Sequence, residues 1–402
     1  MINEELKGYL EKQIFPKYEK NDLGHNLKHV KKVIERSLKF AKKVSGINMD
    51  MVYTIAAYHD IGYYIDFKNH SKVASEVLLN DQNLRSFFND EEIKIMQEAV
   101  YDHSASLDYE PRSIYGKIIA SADKCVDVNT ALQSTCAYRI KYGNYKSVID
   151  IIEDSRLRLI NKFGKNGYAT TKIYFKDPEY KKFLLSISSL TDNKNKFEKR
   201  FIKVNNLGSR IIKEQIDKYV PENEQEKKDK AFFIRFINEF DDVLTRKNPY
   251  GHISSSAFVV DESFSKALVV NHNIFGGFVQ AGGHADGNYD LIKVAKKEVK
   301  EETGLNVKPV TKDIFSIQVL PIKGHVKKGK YVSAHVHFDV LYLMVVKDED
   351  MKKMRIKKDE NSNVKFIKLD ETYGNKMVDW IRPINRKIVD KINRLKKDWL
   401  FD

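Results

Sequence analysis

Cysteine, tryptophan and proline are scarce in this chain of 402 residues, with two, two and eight copies. Cys125 and Cys136 form no close pair. Two cysteines are too few for a disulfide-stapled scaffold; the pair could in principle bridge, but free thiols in a reducing cytoplasm are expected. No stretch approaches the roughly 20 apolar residues needed to span a bilayer, so no membrane partner is expected. The start, Met1-Ile2-Asn3-Glu4-Glu5-Leu6, lacks a basic segment followed by an apolar one, so no signal peptide is expected. Low-complexity tracts and internal repeats are absent.

What is present fits soluble globular domains: 42% hydrophobic and 31% charged residues. The length is too great for one ordinary core and suits two domains. The net charge of +14 favours anionic ligands such as nucleotides. Its lysines alternate with acids, as in Lys293-Val294-Ala295-Lys296-Lys297-Glu298, which reads as a solvated surface. No nucleic-acid-binding signature accompanies the charge, so RNA processing rests on charge alone. The basic run Arg386 to Lys397 has apolar residues at helical spacing and reads as an amphipathic helix packed on its own domain.

Residues 1–204 read as helix after helix, and residues 205–402 as a second domain with strands. The boundary falls near 205, where the segment Asn205 to Lys230 is polar, and a helix from Lys230 to about Leu244 opens the second domain. Ser254 to Asp261, Ala267 to His272, Phe315 to Leu320, Ala334 to Lys347 and Val364 to Leu369 read as strands. Asp290 to Thr303 reads as a helix with Asp290 as N-cap and Gly304 as its stop. Tyr373 to Leu400 reads as helical.

Two groups of residues carry chemistry. The first half holds His29, the doublet His59-Asp60, His70, His103 and Asp123. Adjacent helical residues diverge by about 100°, so His59 and Asp60 reach one ion only from a helix end or a tight corner. Asp123, inside an apolar helix, needs a partner, and a metal is one. An isolated histidine is most simply hydrogen-bonded and structural. The ordered set points to a metal, and mixed imidazole and carboxylate ligands suit Mn, Fe, Co, Ni or Zn. Lys124 and Arg112 are the cations available for phosphate.

In the second half, Glu298, Glu301 and Glu302 share one helical face. Their mutual repulsion costs about 0.2–0.5 kcal/mol per pair, so cations are expected there, and hard oxygens suit Mg or Mn. Gly282-Gly283 allows close backbone approach. His335 and His337 alternate on a strand and face one side, where they line a pocket with Asp339 or form a structural pair. Glu360 is a further base or ligand candidate, and Gly283 and His284 belong to the same pocket.

The first group resembles the HD-domain phosphohydrolase superfamily over nearly the whole first half. The resemblance implies His29, His59, Asp60 and Asp123 as the metal set. It places His70 and His103 where some members bind a second metal or the substrate phosphate; Lys124 is a separate candidate for the phosphate, or is simply solvated. The stretches around Asp102-His103 and Pro111 to Asp123 look like one group within it. Tyr63-Tyr64 and the lack of a Gly-Tyr-Pro pattern separate the chain from the alarmone-hydrolysing and cyclic-dinucleotide branches.

The second group resembles the Nudix box, from Gly283 through Lys297-Glu298 and Glu301-Glu302 to Gly304-Leu305. Tyr289 and Lys297 stand where glutamate and arginine are usual. The resemblance implies that Glu298, Glu301 and Glu302 bind metal and activate water.

The fold implied is an all-α HD domain followed by an α/β/α Nudix sandwich around a mixed sheet. The function implied is a bifunctional, cytoplasmic, metal-dependent phosphohydrolase of nucleotides or their derivatives. Its HD centre would cleave a phosphomonoester or phosphodiester, and its Nudix centre a diphosphate linkage. The two steps could run in sequence. The alternative is an HD hydrolase regulated by a Nudix domain that serves as a nucleotide sensor. The sequence leaves the oligomeric state open.

Overall fold

The computed structural model describes residues 2–21, 24–104, 107–327 and 329–399. Met1, Ala105, Ser106 and Leu400, which enter the expectations above, lie outside them. The chain divides into two compact units, Met1–Asn205 and Asn206–Asp402.

The first unit is helical. Its elements are α1 (Glu4–Tyr9), α2 (Leu27–Ala41), α3 (Met49–Tyr58), α4 (His70–Leu79), α5 (Asp90–Tyr101), α6 (Ile114–Ala122), α7 (Val128–Tyr142), α8 (Val148–Phe163), α9 (Pro178–Asp192) and α10 (Lys194–Val204). Side-chain caps set several of the starts. Asn26 accepts from the backbone amides of Lys28 and His29, Asn48 from those of Asp50 and Met51, and Asn89 forms a full capping box with Glu92. The core gathers Leu6, Leu10, Tyr18, Val33, Ile55, Tyr58, Met96 and Ile118 around α3. Every residue of α3 from Met51 to Tyr58 is buried. An all-round apolar helix of this kind is a central helix, and it carries the His59-Asp60 doublet at its end.

The second unit opens with α11 (Gly208–Lys218) and α12 (Glu224–Glu239). The polar segment Asn205 to Lys230 thus forms a helix and the start of another, rather than preceding a single helix. Ile212 and Ile216 on α11 and Phe233 and Phe236 on α12 supply the apolar stripes, diluted in the sequence by lysine and glutamate. The strands are β1 (Gly251–Val260), β2 (Lys266–His272), β3 (Gly277–Val279), β4 (Ala281–His284), β5 (Lys308–Pro309), β6 (Ser316–Ile322), β7 (His325–Lys327), β8 (Lys330–Val332), β9 (His335–Val345) and β10 (Asn361–Lys368). Helix α13 (Leu291–Thr303) follows β4, α14 (Asp348–Met351) follows β9, and α15 (Arg382–Trp399) closes the chain. Asp290 caps α13 and Gly304 ends it at φ 74°.

The main sheet runs β10-β2-β1-β9-β5, with β3 on β2, β4 on β1 and β6 on β9. β1 and β9 are parallel and the other pairs antiparallel, so the sheet is mixed. The period-2 alternation of strands sorts the two faces. Ile253, Val259, Phe338 and Val340 meet α11, α12 and α13 on one face. Phe258, Val260, Leu341 and Leu343 meet Ile388, Val389 and Ile392 of α15 on the other. This is a sheet between helical layers. On the α15 face the apolar pattern stops short. Towards the start of β1 and β9 that face carries His252, Ser254 and Ser256 beside His337 and Asp339, which are register partners in pairs His252–His337 and Ser254–Asp339.

Candidate metal centre and glutamate site

In the first unit the ligand residues all sit at helix ends. His29 lies in the first turn of α2, His59-Asp60 follow α3, His70 begins α4, His103 follows α5 and Asp123 caps α6. Asp123 is therefore terminal rather than inside its helix, which frees its side chain to turn to the centre. One ligand atom each from His29, His59, Asp60 and Asp123 fall within 4.8 Å of one another, and so do those of Asp60, His70 and His103. Asp60 belongs to both sets. Its Oδ2 is 3.2 Å from His59 Nε2 and 3.4 Å from His29 Nε2. Its Oδ1 is 3.5 Å from His103 Nε2 and 3.7 Å from His70 Nε2. His29 Nε2 also lies 3.0 Å from Asp123 Oδ1.

The tautomers are set from outside the centre. Nδ1 of His59, His70 and His103 each faces the carbonyl oxygen three residues earlier, at 2.9 Å from Ala56, 3.0 Å from Phe67 and 2.5 Å from Val100. A proton on Nδ1 donates to that carbonyl and leaves the Nε2 lone pair aimed at Asp60. Two acceptors then face each other across about hydrogen-bond distance. Asp60 Oδ2 is buried with no hydrogen-bond partner. That orphaned oxygen, ringed by imidazole lone pairs, fits a cation.

The electrostatics show the same demand for positive charge. Burial works against ionised Asp60, yet the surrounding imidazoles of His59, His103 and His29 hold its carboxyl well below the usual range. Burial likewise opposes charge on His29, but the neighbouring carboxylates of Asp123 and Asp60 push it up to about 10. His103 is raised against burial by Asp60, and His70 is lowered by burial and by His103.

Neighbours complete the wall. Asn21 donates through Nδ2 to the carbonyls of Asp60 (3.0 Å) and His25 (2.9 Å). His25 stacks on Tyr63 at 3.6 Å between centroids, and Tyr63 lies 5.6 Å from His70. Lys124 and Arg112 are not brought to the centre. The Lys124 ammonium donates to the Lys172 carbonyl and lies over the Tyr180 ring. Arg112 is spent on buried Asp102, with Nε 2.9 Å from Oδ2 and Nη2 2.8 Å from Oδ1, while Tyr109 donates to Oδ1 at 2.9 Å.

In the second unit, α13 packs beside β4 and presents its glutamates to the glycines. A Cβ at Gly283 would come within 2.4 Å of Glu298 Cδ. Glu302 is buried, accepting from the Gly282 amide at 3.0 Å and from Asn361 Nδ2 at 3.0 Å. Burial, with the charges of Glu298 and Glu360, pushes its carboxyl up to about 7. Glu360 is thus close enough to act on Glu302, and Lys357 binds it at 2.9 Å. Lys297 bridges Glu298 (3.0 Å) and Glu301 (3.3 Å). Glu298, Glu301 and Glu302 are not among the described residue sets whose ligand atoms fall within 4.8 Å of one another. Lys297 is the cation beside two of these three carboxylates.

A cavity of about 500 Å³ opens beside them, lined by Gly282, Gly283 and Glu302 together with His284, His335, His337 and Asp339. Asp339 is buried and accepts from Ser254 (2.9 Å), Ser256 (2.6 Å) and Gln318 (2.6 Å), and its burial raises its carboxyl. Burial and the neighbouring imidazoles push His337 down to about 2, and burial with His335 and Arg246 pushes His252 down to about 4. Sequence reasoning did not select His252 or Asn361. For His252 a signal existed: it is a polar residue in an apolar strand with the parity of Ser254 and Ser256.

A family model described as HD domain matches residues 26–126. No curated protein matches the chain. Similar solved structures include a Nudix-family hydrolase from Clostridium perfringens, 18% identical over 35% of this chain and 97% of that one with a TM-score of 0.26. Others are an Ap4A hydrolase binary complex of C. elegans (16%, 35% and 97%, TM-score 0.27) and the mutator protein MutT of Bacillus halodurans (24%, 33% and 79%, TM-score 0.25). At those scores the reading of the second unit rests on its own residues. With its histidine–aspartate centre, the stretch 26–126 is an HD domain, and the chain that carries it is a hydrolase.

Proposed function

We propose that the chain is a two-centre phosphohydrolase of nucleotides or nucleotide derivatives, with an HD-type unit over residues 1–204 and a Nudix unit over 205–402. The observation that carries it is Asp60, whose two oxygens face two separate histidine sets. Divalent transition cations (Mn, Fe, Co, Ni or Zn) bound there would lower the pKa of a water and polarise a phosphoryl oxygen of a phosphomonoester or phosphodiester. His29, His59, Asp60 and Asp123 would hold one cation, and Asp60, His70 and His103 a second. The carbonyls of Ala56, Phe67 and Val100 keep the rings oriented. The His25–Tyr63 stack offers a flat apolar wall suited to a base or sugar.

In the rear unit, Glu298, Glu301 and Glu302 would hold Mg or Mn for cleavage of a diphosphate. Burial raises the Glu302 carboxyl to about 7 without a cation, so a cation bound there would displace its proton and relieve the burial penalty. Cytoplasmic placement suits the two cysteines, which form no disulfide. Among the described residues no helix is long and apolar enough to cross a membrane.

One observation favours a second reading, in which the Nudix unit senses a nucleotide and regulates the HD centre. The Lys297 ammonium lies 3.0 Å from Glu298 and 3.3 Å from Glu301 and so balances two of the three carboxylates itself. The test is metal analysis with a panel of nucleotides on wild type, Asp60→Ala and Glu302→Gln. If Glu302→Gln loses one product and keeps the HD product, both centres are catalytic. Altered HD kinetics with no product lost would favour the sensor.

A further inference from the structure

The second unit contains six histidines, at 252, 272, 284, 325, 335 and 337, and all of them line the one cavity of about 500 Å³. Four interlock. His252 lies 4.9 Å from His284, 5.0 Å from His335 and 4.8 Å from His337 between ring centroids, and His337 lies 4.9 Å from His284 and 5.0 Å from His335. They come from three strands. His252 and His337 are register partners on the parallel pair β1 and β9, and β4 ends at His284 beside β1. Cross-strand neighbours stand about 5 Å apart, so the register itself creates the cluster.

The nitrogens are arranged for a ligand. One atom each from His252, His335 and His337 fall within 4.8 Å of one another. Nδ1 of His335 faces the Ser333 carbonyl at 2.8 Å, which leaves its Nε2 lone pair directed inward, 3.1 Å from Nε2 of His337. His252 is 4% exposed, and neither of its ring nitrogens has a hydrogen-bond partner. Burying an imidazole with no partner is costly. Around a tetrahedral ion with bonds near 2.05 Å, neighbouring nitrogens stand about 3.3 Å apart. The His335–His337 separation is of that order, and a ring nitrogen of His252 falls within 4.8 Å of both.

We infer that His252, His335 and His337 bind one borderline first-row divalent cation, of the Zn²⁺, Co²⁺ or Ni²⁺ class, with a fourth position facing the cavity. The donor chemistry excludes hard cations such as Mg²⁺, which need oxygen. This site is therefore distinct in selectivity from the glutamates of α13, although both open to the same cavity. An anionic oxygen of a small ligand would fill the fourth position. The inference stands independently of the phosphohydrolase reading.

The test is titration of metal-stripped full-length protein with Co²⁺ and Zn²⁺ in excess Mg²⁺, reading bound equivalents and the visible Co²⁺ spectrum. Wild type is compared with His252→Ala, His335→Gln and Asp60→Ala. Both rear variants should bind one equivalent fewer than wild type and lose a tetrahedral, imidazole-type Co²⁺ band that Asp60→Ala keeps. His335 is only partly buried, so His335→Gln decides the matter if His252→Ala does not fold. Equal equivalents and an unchanged spectrum in His335→Gln, with a melting curve matching stripped wild type, would overturn the inference. A loss in Asp60→Ala alone would support the HD centre and overturn this one.

Discussion

Glu298 occupies the volume that a side chain at position 283 would take: its Cδ is 2.4 Å and its Oε2 2.7 Å from where a Gly283 Cβ would stand. The second glycine thus makes room for a carboxylate of α13, in addition to freeing the backbone. Replacing Gly283→Ala should displace Glu298 and lower diphosphate cleavage by about 10²-fold, the scale of an ångström-sized misplacement in a catalytic site. HD turnover should be unchanged. Equal diphosphate turnover in Gly283→Ala and wild type would contradict the requirement for glycine at this position.

The buried carboxyl of Glu302 gives a stability prediction with a definite sign. Its folded value of about 7 lies above the ordinary 4.5, so the folded state holds its proton more tightly than the unfolded one. Stability from this group is full below about pH 4.5 and is lost as pH rises to about 7. The loss is on the order of 2–3 kcal/mol. Metal-free wild type should therefore fall relative to Glu302→Gln across that window in denaturant melts, and Mg²⁺ should narrow the difference. A constant difference from pH 4.5 to 7 would contradict the burial account.

Arg112 is assigned a positioning role on Asp102, the residue before His103. Removing its guanidinium in Arg112→Ala leaves a fully buried carboxylate short of donors, at a cost of roughly 1–3 kcal/mol. Affinity for the cation on the His70–His103 side should fall by about 10–100-fold, as for other supports of ligand residues. A pure phosphate-binding role would instead raise KM and leave metal affinity alone.

Much of the front centre was legible in the sequence because its residue types are unusual for their settings. A His-Asp doublet ending an apolar helix, and an aspartate after Ile118-Ile119-Ala120, both need a partner. The sequence could not show that Asp60 is shared between two histidine sets, since that depends on how helix ends converge. Nor could it show where Lys124 and Arg112 turn, because long cations follow the nearest carbonyl or carboxylate. In the rear unit the helical spacing of the glutamates and the Asp290 and Gly304 stops were readable. The Lys297 bridge was not, as lysine at that spacing suits either a solvated face or a clamp. His252 escaped notice because the parallel register that sets it beside His337 joins segments some 80 residues apart.

Two cations sharing the Asp60 carboxylate is the arrangement on which the proposed front centre depends. Its most direct test is anomalous diffraction from crystals of the full chain loaded with Mn²⁺. The account predicts two peaks on either side of the Asp60 carboxylate, one contacting His29, His59 and Asp123 and the other His70 and His103. A map with no peak within coordination distance of Asp60 Oδ2, its oxygens hydrogen-bonded to water or protonated imidazole instead, would contradict it.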